Sequence, residues 1–125
     1  FLRIFITKHF DQFRKKKDIE DSSLCEAITR AEFGLVDANL GGNIIKMRIA
    51  REGQGKSGGY RVVIVYLVGD RAFFVYGFPK SAQDNLSTKE IAGLKKFGKT
   101  LLELEDNDLD KFIKSGRFRE VEYDA

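Results

Sequence analysis

The chain opens on Leu2–Thr7 (LRIFIT), a short apolar run with β-branched residues, which predicts a strand. Phe10 and Phe13 then recur at helical spacing and run into the basic stretch Arg14–Lys17, so Lys8–Lys17 is expected to be a short helix. Ser23 followed by Glu26 has the spacing of a capping box. Leu24, Ala27, Ile28 and Ala31 fall on one helical face after it, and Gly34 supplies a left-handed stop. The first third therefore predicts a strand followed by a helical hairpin.

Residues 39–43 (NLGGN) break the pattern, and Ile44–Ala50 then alternates. Ile45, Met47 and Ile49 face one way, while Ile44, Lys46, Arg48 and Ala50 face the other, which predicts a strand with a core face and a basic face. Residues 51–59 (REGQGKSGG) hold four glycines and predict a mobile loop. Tyr60–Val68 is a nearly continuous apolar strand suited to a sheet centre. Gly69-Asp70 signals a two-residue hairpin, and Arg71–Phe78 is the returning strand of an antiparallel meander. Ser87 and Glu90 form a second capping box. Ile91, Leu94, Phe97, Leu101 and Leu104 follow it along an amphipathic helix of about 16 residues. Beyond it lie signals for a short helix around Leu109–Lys114, a turn at Gly116 and an edge strand at Phe118–Tyr123. The fold class expected is α+β, an antiparallel sheet in the order β-α-α-β-β-β-α, with two N-terminal helices and one C-terminal helix.

Composition narrows the chemistry. At 125 residues with 42% hydrophobic residues, one domain with a real core is expected and a disordered chain is excluded. A single cysteine, Cys25, precludes an internal disulfide, and a single histidine, His9, excludes any site needing two. The first residues lack the long apolar stretch and small-residue cleavage site of a signal peptide, so the expected location is the cytoplasm, with no membrane partner. The net charge of +3 is unevenly spread: residues 44–80 hold seven Lys or Arg against two Asp or Glu. Clustered positive charge suggests a polyanionic partner, the alternative being an ordinary solvated face. The acidic run Glu103–Asp110 is expected to be solvated rather than tucked against that basic segment. A helix-turn-helix over residues 8–34 is disfavoured, because its apolar faces are needed by the sheet.

Ala50–Ser57 (AREGQGKS) satisfies a relaxed phosphate-loop pattern. A phosphate cradle of that kind needs a helix N-terminus directly after it. Here Gly58, Gly59 and a β-branched strand follow, so nucleotide hydrolysis is rejected.

Three segments carry a resemblance: Lys46–Arg51 (KMRIAR), Gly53–Arg61 (GQGKSGGYR) and Gly69–Ser81 (GDRAFFVYGFPKS). Together they resemble the RelE/HigB-like toxins of bacterial type II toxin–antitoxin modules. The resemblance implies a RelE-like domain over residues 1–105, with 106–125 as a C-terminal extension of the same domain. It implies a ribosome-dependent endoribonuclease that cleaves mRNA without metal or other cofactor. It also implies neutralisation by a cognate antitoxin, often of helix-turn-helix type. The alternative is a non-cleaving member of the fold, a gyrase poison or a protein that only binds its antitoxin.

Cleavage by 2′-hydroxyl attack needs a proton acceptor, charge stabilisation on the phosphorane and a proton donor for the leaving 5′ oxygen. Without paired histidines, Lys, Arg and Tyr must supply these functions. Arg61 matches the family's strand arginine, and a guanidinium fork suits bidentate phosphate contact. Lys80 matches a position that is basic across the family and suits an acid or an electrostatic clamp. Tyr76 suits base stacking or proton donation. Lys46 and Arg48 share the basic strand face, Arg51 and Lys56 sit at and in the glycine-rich loop, and Ser81 follows Lys80. These five complete the expected RNA-binding set. Where well-studied relatives carry a C-terminal tyrosine, this chain reads Gln83-Asp84-Asn85-Leu86, which leaves the acid and base unassigned.

Overall fold

The computed structural model describes residues 2–51, 55–83 and 85–123, without the side chains of residues 51 and 55–58. Its centre is a six-stranded sheet in the order β2-β3-β4-β5-β1-β6, formed by Ala38–Gly41, Ile44–Arg51, Gly55–Leu67, Arg71–Pro79, Arg3–Thr7 and Phe118–Val121 respectively. Helices α1 (Lys8–Lys16) and α2 (Asp21–Glu32) cover one face, and α3 (Thr88–Glu103) and α4 (Asp106–Lys114) the other. One core cluster joins Phe10, Leu24 and Ile28 to Ile4, Met47, Val62, Ile64 and Phe74. The second joins Leu101 and Leu109 to Phe5, Ile44, Val63, Val65 and Phe73. Alternation along β3 divides its residues between the two faces as the sequence predicts. Among the described residues no helix is long and apolar enough to cross a membrane.

The sheet is mixed, not antiparallel. β3, β4 and β5 form the expected meander, but β1 lies beside β5 in parallel, with Ile4 opposite Ala72 and Ile6 opposite Phe74. β6 pairs antiparallel on the other side of β1. A parallel neighbour is natural for a strand buried on both faces, and LRIFIT sends Ile4 and Ile6 one way and Phe5 the other.

Four further differences correct the sequence reading. First, NLGGN is not merely a break: Ala38–Gly41 pairs with β3 through a hairpin at Gly42-Asn43, where both residues take positive φ, as a two-residue primed turn requires. Second, β4 reaches back to Gly55, which pairs with Arg51, so strand replaces much of the expected loop. Third, the β4–β5 connection has three residues, Val68–Asp70, closed by the Asp70 N–H on the Leu67 carbonyl, with Gly69 at φ +75°. Fourth, α2 starts at Asp21 with Glu20 as its cap, so Ser23 lies inside the first turn and forms no capping box. Arg119 of β6 binds Asp21 at 2.8 Å there, a tertiary contact at that helix start which no local pattern encodes.

There are two C-terminal helices, not one. α3 carries the Ser87–Glu90 capping box and spans 16 residues as expected. Phe97, however, faces outward at 43% exposure, and Gly98 takes its place against the sheet. A Cβ at Gly98 would lie 3.0 Å from Ile44 Cδ1, so the glycine lets α3 approach β3 closely. The acidic run touches the basic segment only at its far end, where the Leu104 carbonyl accepts from the Arg71 guanidinium. Asp106 and Asp110 bind Arg3, together with Glu120, at the end of the sheet where β5 begins.

Candidate functional site

At the opposite end, where β5 finishes, the sheet presents a cavity of about 470 Å³ lined by Asp37, Ala38, Lys46, Arg48, Arg61, Lys80 and Asn85. Strand register explains the gathering. Arg48 is the cross-strand partner of Arg61, and Arg61 in turn of Phe78, so all three share the α3 side of the sheet. Lys46, two residues before Arg48, and Lys80, two after Phe78, follow the same alternation. The Lys80 N–H still donates to the Gly59 carbonyl at 3.2 Å, which continues the ladder past the end of β5.

Two arginines opposite each other in a sheet repel, and such like-charge pairs are destabilising. Arg61 is moreover only 5% exposed, an unusual burial for a charged side chain. Four cations gathered in one concave lining, with Asp37 the one carboxylate among its described residues, fit an anion. Arg48 is about half exposed. The Lys46 ammonium donates to Asn85 Oδ1 at 3.0 Å, which ties the β5–α3 connection to the cavity wall.

Four of the predicted residues thus meet: Lys46, Arg48, Arg61 and Lys80. Two do not. Ser81 lines a separate cavity of about 700 Å³ on the α1–α2 side, with Pro79, Tyr60, Lys16 and Lys17. Tyr76 lies outside the cavity lining, against His9 (ring centroids 6.0 Å apart) and Phe78. A bulge sets its direction. Ile64 pairs with Phe74 and Val63 with Tyr76, so Val75 is left over and Tyr76 turns to the α3 side. The Tyr76 hydroxyl donates to Glu90 Oε2 at 3.4 Å, and burial, with the neighbouring Glu90 carboxylate, pushes the phenol's pKa up. Glu90 itself is held below the usual carboxylate range, first by the Ser87 backbone N–H. The side chains of Arg51 and Lys56 lie outside the described residues.

Sequence reasoning missed Asp37 and Asn85. Asp37 follows the α2 stop and precedes β2, a strand not foreseen, so no motif singles it out. Among the described residues no group of three His, Cys, Asp or Glu side chains is placed to hold a metal ion.

The family model for the RelE toxin of the RelE/RelB toxin–antitoxin system matches residues 2–121. The chain belongs to the RelE toxin family. The match takes in the whole sheet, β6 included, so both terminal strands fall within the RelE region. A RelE-family protein is the toxin of a toxin–antitoxin pair, and its partner is an antitoxin. A search of curated proteins finds no match.

Proposed function

We propose that this RelE-family toxin is a ribosome-dependent endoribonuclease that cleaves mRNA. The observation that carries the reading is the convergence of Lys46, Arg48, Arg61 and Lys80 on one cavity at the open end of the sheet. In this reading the RNA's own 2′-hydroxyl attacks the adjacent phosphorus, giving up its proton to solvent water, and the bond to the 5′ oxygen breaks as that oxygen takes up a proton. A 2′,3′-cyclic phosphate and a 5′-hydroxyl are left. The nucleophile belongs to the substrate, so the protein's task is to hold the phosphate and stabilise charge on the phosphorane. Arg61 does this from a sheltered position, where a guanidinium contact is strengthened by low local dielectric. Lys80 clamps the same phosphate from the strand end, and Lys46 and Arg48 hold the backbone of the flanking nucleotides. Tyr76, although outside the cavity lining and hydrogen-bonded to Glu90, carries a neutral phenol and takes the part of proton donor to the leaving oxygen, the RNA running past it from Lys80. The antitoxin is proposed to be of helix-turn-helix type, and the toxin to act in the cytoplasm, where its ribosomes are.

The test is induced expression in a bacterial host with mRNA 5′-end mapping, for wild type and for Arg61→Ala combined with Lys80→Ala. Growth arrest with cuts confined to translated messages, both abolished in the double variant, is the expected result. Arrest without cuts would overturn it in favour of a non-cleaving member of the fold acting on gyrase or another target. A melting curve of the purified double variant separates loss of the site from loss of the fold.

A further inference from the structure

β3 loses its neighbour part-way along. β2 pairs with it only over Ile44–Lys46, so the edge beyond is left without a strand. At Arg48 two side chains stand in for the missing ladder. The Arg48 N–H donates to Asp37 Oδ2 at 2.7 Å, and the Arg48 carbonyl accepts from Arg30 Nη2 at 2.6 Å. Asp37 also faces Arg30 Nη1 at 3.7 Å and the Arg48 guanidinium at 3.9 Å, while Arg30 Nε is held by Glu26 on α2. The backbone groups of Arg48 therefore point away from β4, which makes Arg48 and Arg61 a non-hydrogen-bonded pair. In such pairs Cα atoms approach to about 4.5 Å and side chains stand closest. Arg61 is buried, whereas Arg48, on the edge that no strand covers and about half exposed, is the one with room to move.

We infer that Asp37 is a positioning residue: by taking the Arg48 N–H, with Arg30 on the carbonyl, it fixes the edge of β3 so that Arg48 stays in the cavity beside Arg61. The inference rests on the proposed RNA-binding role of this cavity and adds a residue to it. Asp37 contributes no contact to the RNA. It is the one carboxylate among the described lining residues, so through its charge alone it would weaken an anion's binding. Its backbone grip and its charge thus act in opposite directions, and they can be separated experimentally.

The probe is a short single-stranded RNA with 2′-deoxy substitution, which cannot be cut by 2′-hydroxyl attack. Its affinity is measured against salt for wild type, Asp37→Ala, Asp37→Asn, Arg48→Ala and the combination of Asp37→Ala with Arg48→Ala. Asparagine keeps an acceptor for the Arg48 N–H, and alanine does not. The expected result is that Asp37→Ala and Arg48→Ala each reduce the salt slope by about 0.7, the loss of one phosphate contact. The combined variant falls no further than Arg48→Ala alone, and Asp37→Asn binds at least as tightly as wild type. Three results would each overturn the inference. Asp37→Ala and Asp37→Asn tightening binding alike would mean that charge alone acts. An equal loss from Asp37→Ala with and without Arg48 would mean a general structural defect. No change on Asp37→Ala would mean that the edge needs no support. Cleavage by the wild type is scored separately: a wild type that does not cut but shows the coupling defeats the nuclease reading and leaves this inference standing.

Discussion

Replacing Gly77 by alanine is expected to lower stability, and the sign follows from contact geometry. Gly77 lies on β5 opposite Val62, under helix α1. A Cβ there would stand 2.5 Å from Phe13 Cε2, 2.7 Å from Phe13 Cδ2 and 3.1 Å from Phe10 Cε1. Carbon atoms prefer about 3.5–4.0 Å, so the overlap with Phe13 is about 1 Å. Phe10 is fully buried, and Phe13 is held edge-on to Tyr60 at 5.9 Å, so relief requires moving α1 off the sheet. Overpacking of this kind costs about 1–3 kcal/mol. Gly77 is outside the left-handed region, so alanine recovers about 0.4–1 kcal/mol by restricting the unfolded chain. The central net loss is about 1 kcal/mol, which at this chain length lowers Tm by about 3–6 °C. Gly93 on α3 is the matched control. A Cβ there meets nothing within 4 Å, so the same substitution gains about 0.5–1 kcal/mol and raises Tm. Far-UV circular dichroism melts of the two variants in one buffer provide the comparison. A Gly77→Ala protein melting at or above wild type, or a Gly93→Ala protein melting below it, would refute the reasoning.

Other perturbations probe the core, the charge clamps and the site. Leu101, 1% exposed on the inner face of α3, should lose about 2–5 kcal/mol on Leu101→Ala, read as a lower urea midpoint with an unchanged slope. Asp21 is held below the usual carboxylate range by Arg119; at Asp11, burial alone would raise the pKa, but hydrogen bonds from Arg14 and Arg119 outweigh it and lower it. Carboxyls with depressed folded pKa values contribute stability above the ordinary aspartate value near 3.9, and lose it as pH falls through the depressed values. Arg119→Ala should therefore flatten the acid limb of a stability–pH curve, and an unchanged limb would show that the clamp carries no linkage. Tyr76→Phe should slow RNA cleavage while leaving RNA affinity unchanged; equal cleavage by the variant would remove the phenol from the chemistry.

Local signals in the chain determined the elements that local physics controls. The Ser87–Glu90 box caps α3 because both partners lie within one turn, and Gly34, at φ +79°, ends α2 because only glycine enters that conformation cheaply. The two-residue alternation of β3 put Lys46 and Arg48 on one face before any neighbour was known. Where two strands had to meet, the sequence was silent. The pairing of Arg48 with Arg61 depends on the β3–β4 register, and the arrival of Lys80 depends on β5 continuing past Phe78. The parallel place of β1 depends on which strand edge lies open after the meander forms. Tyr76 shows the limit well: alternation counted from Phe74 would leave it on the α1 side, and the Val75 bulge reverses it. Asp37 was invisible for the same reason, since its role exists only where β2 has yet to begin and the β3 edge needs an acceptor. Side-chain period and caps are properties of a few consecutive residues. Register, bulges and edges are decided by segments far apart in sequence, and only the packed sheet brings them together.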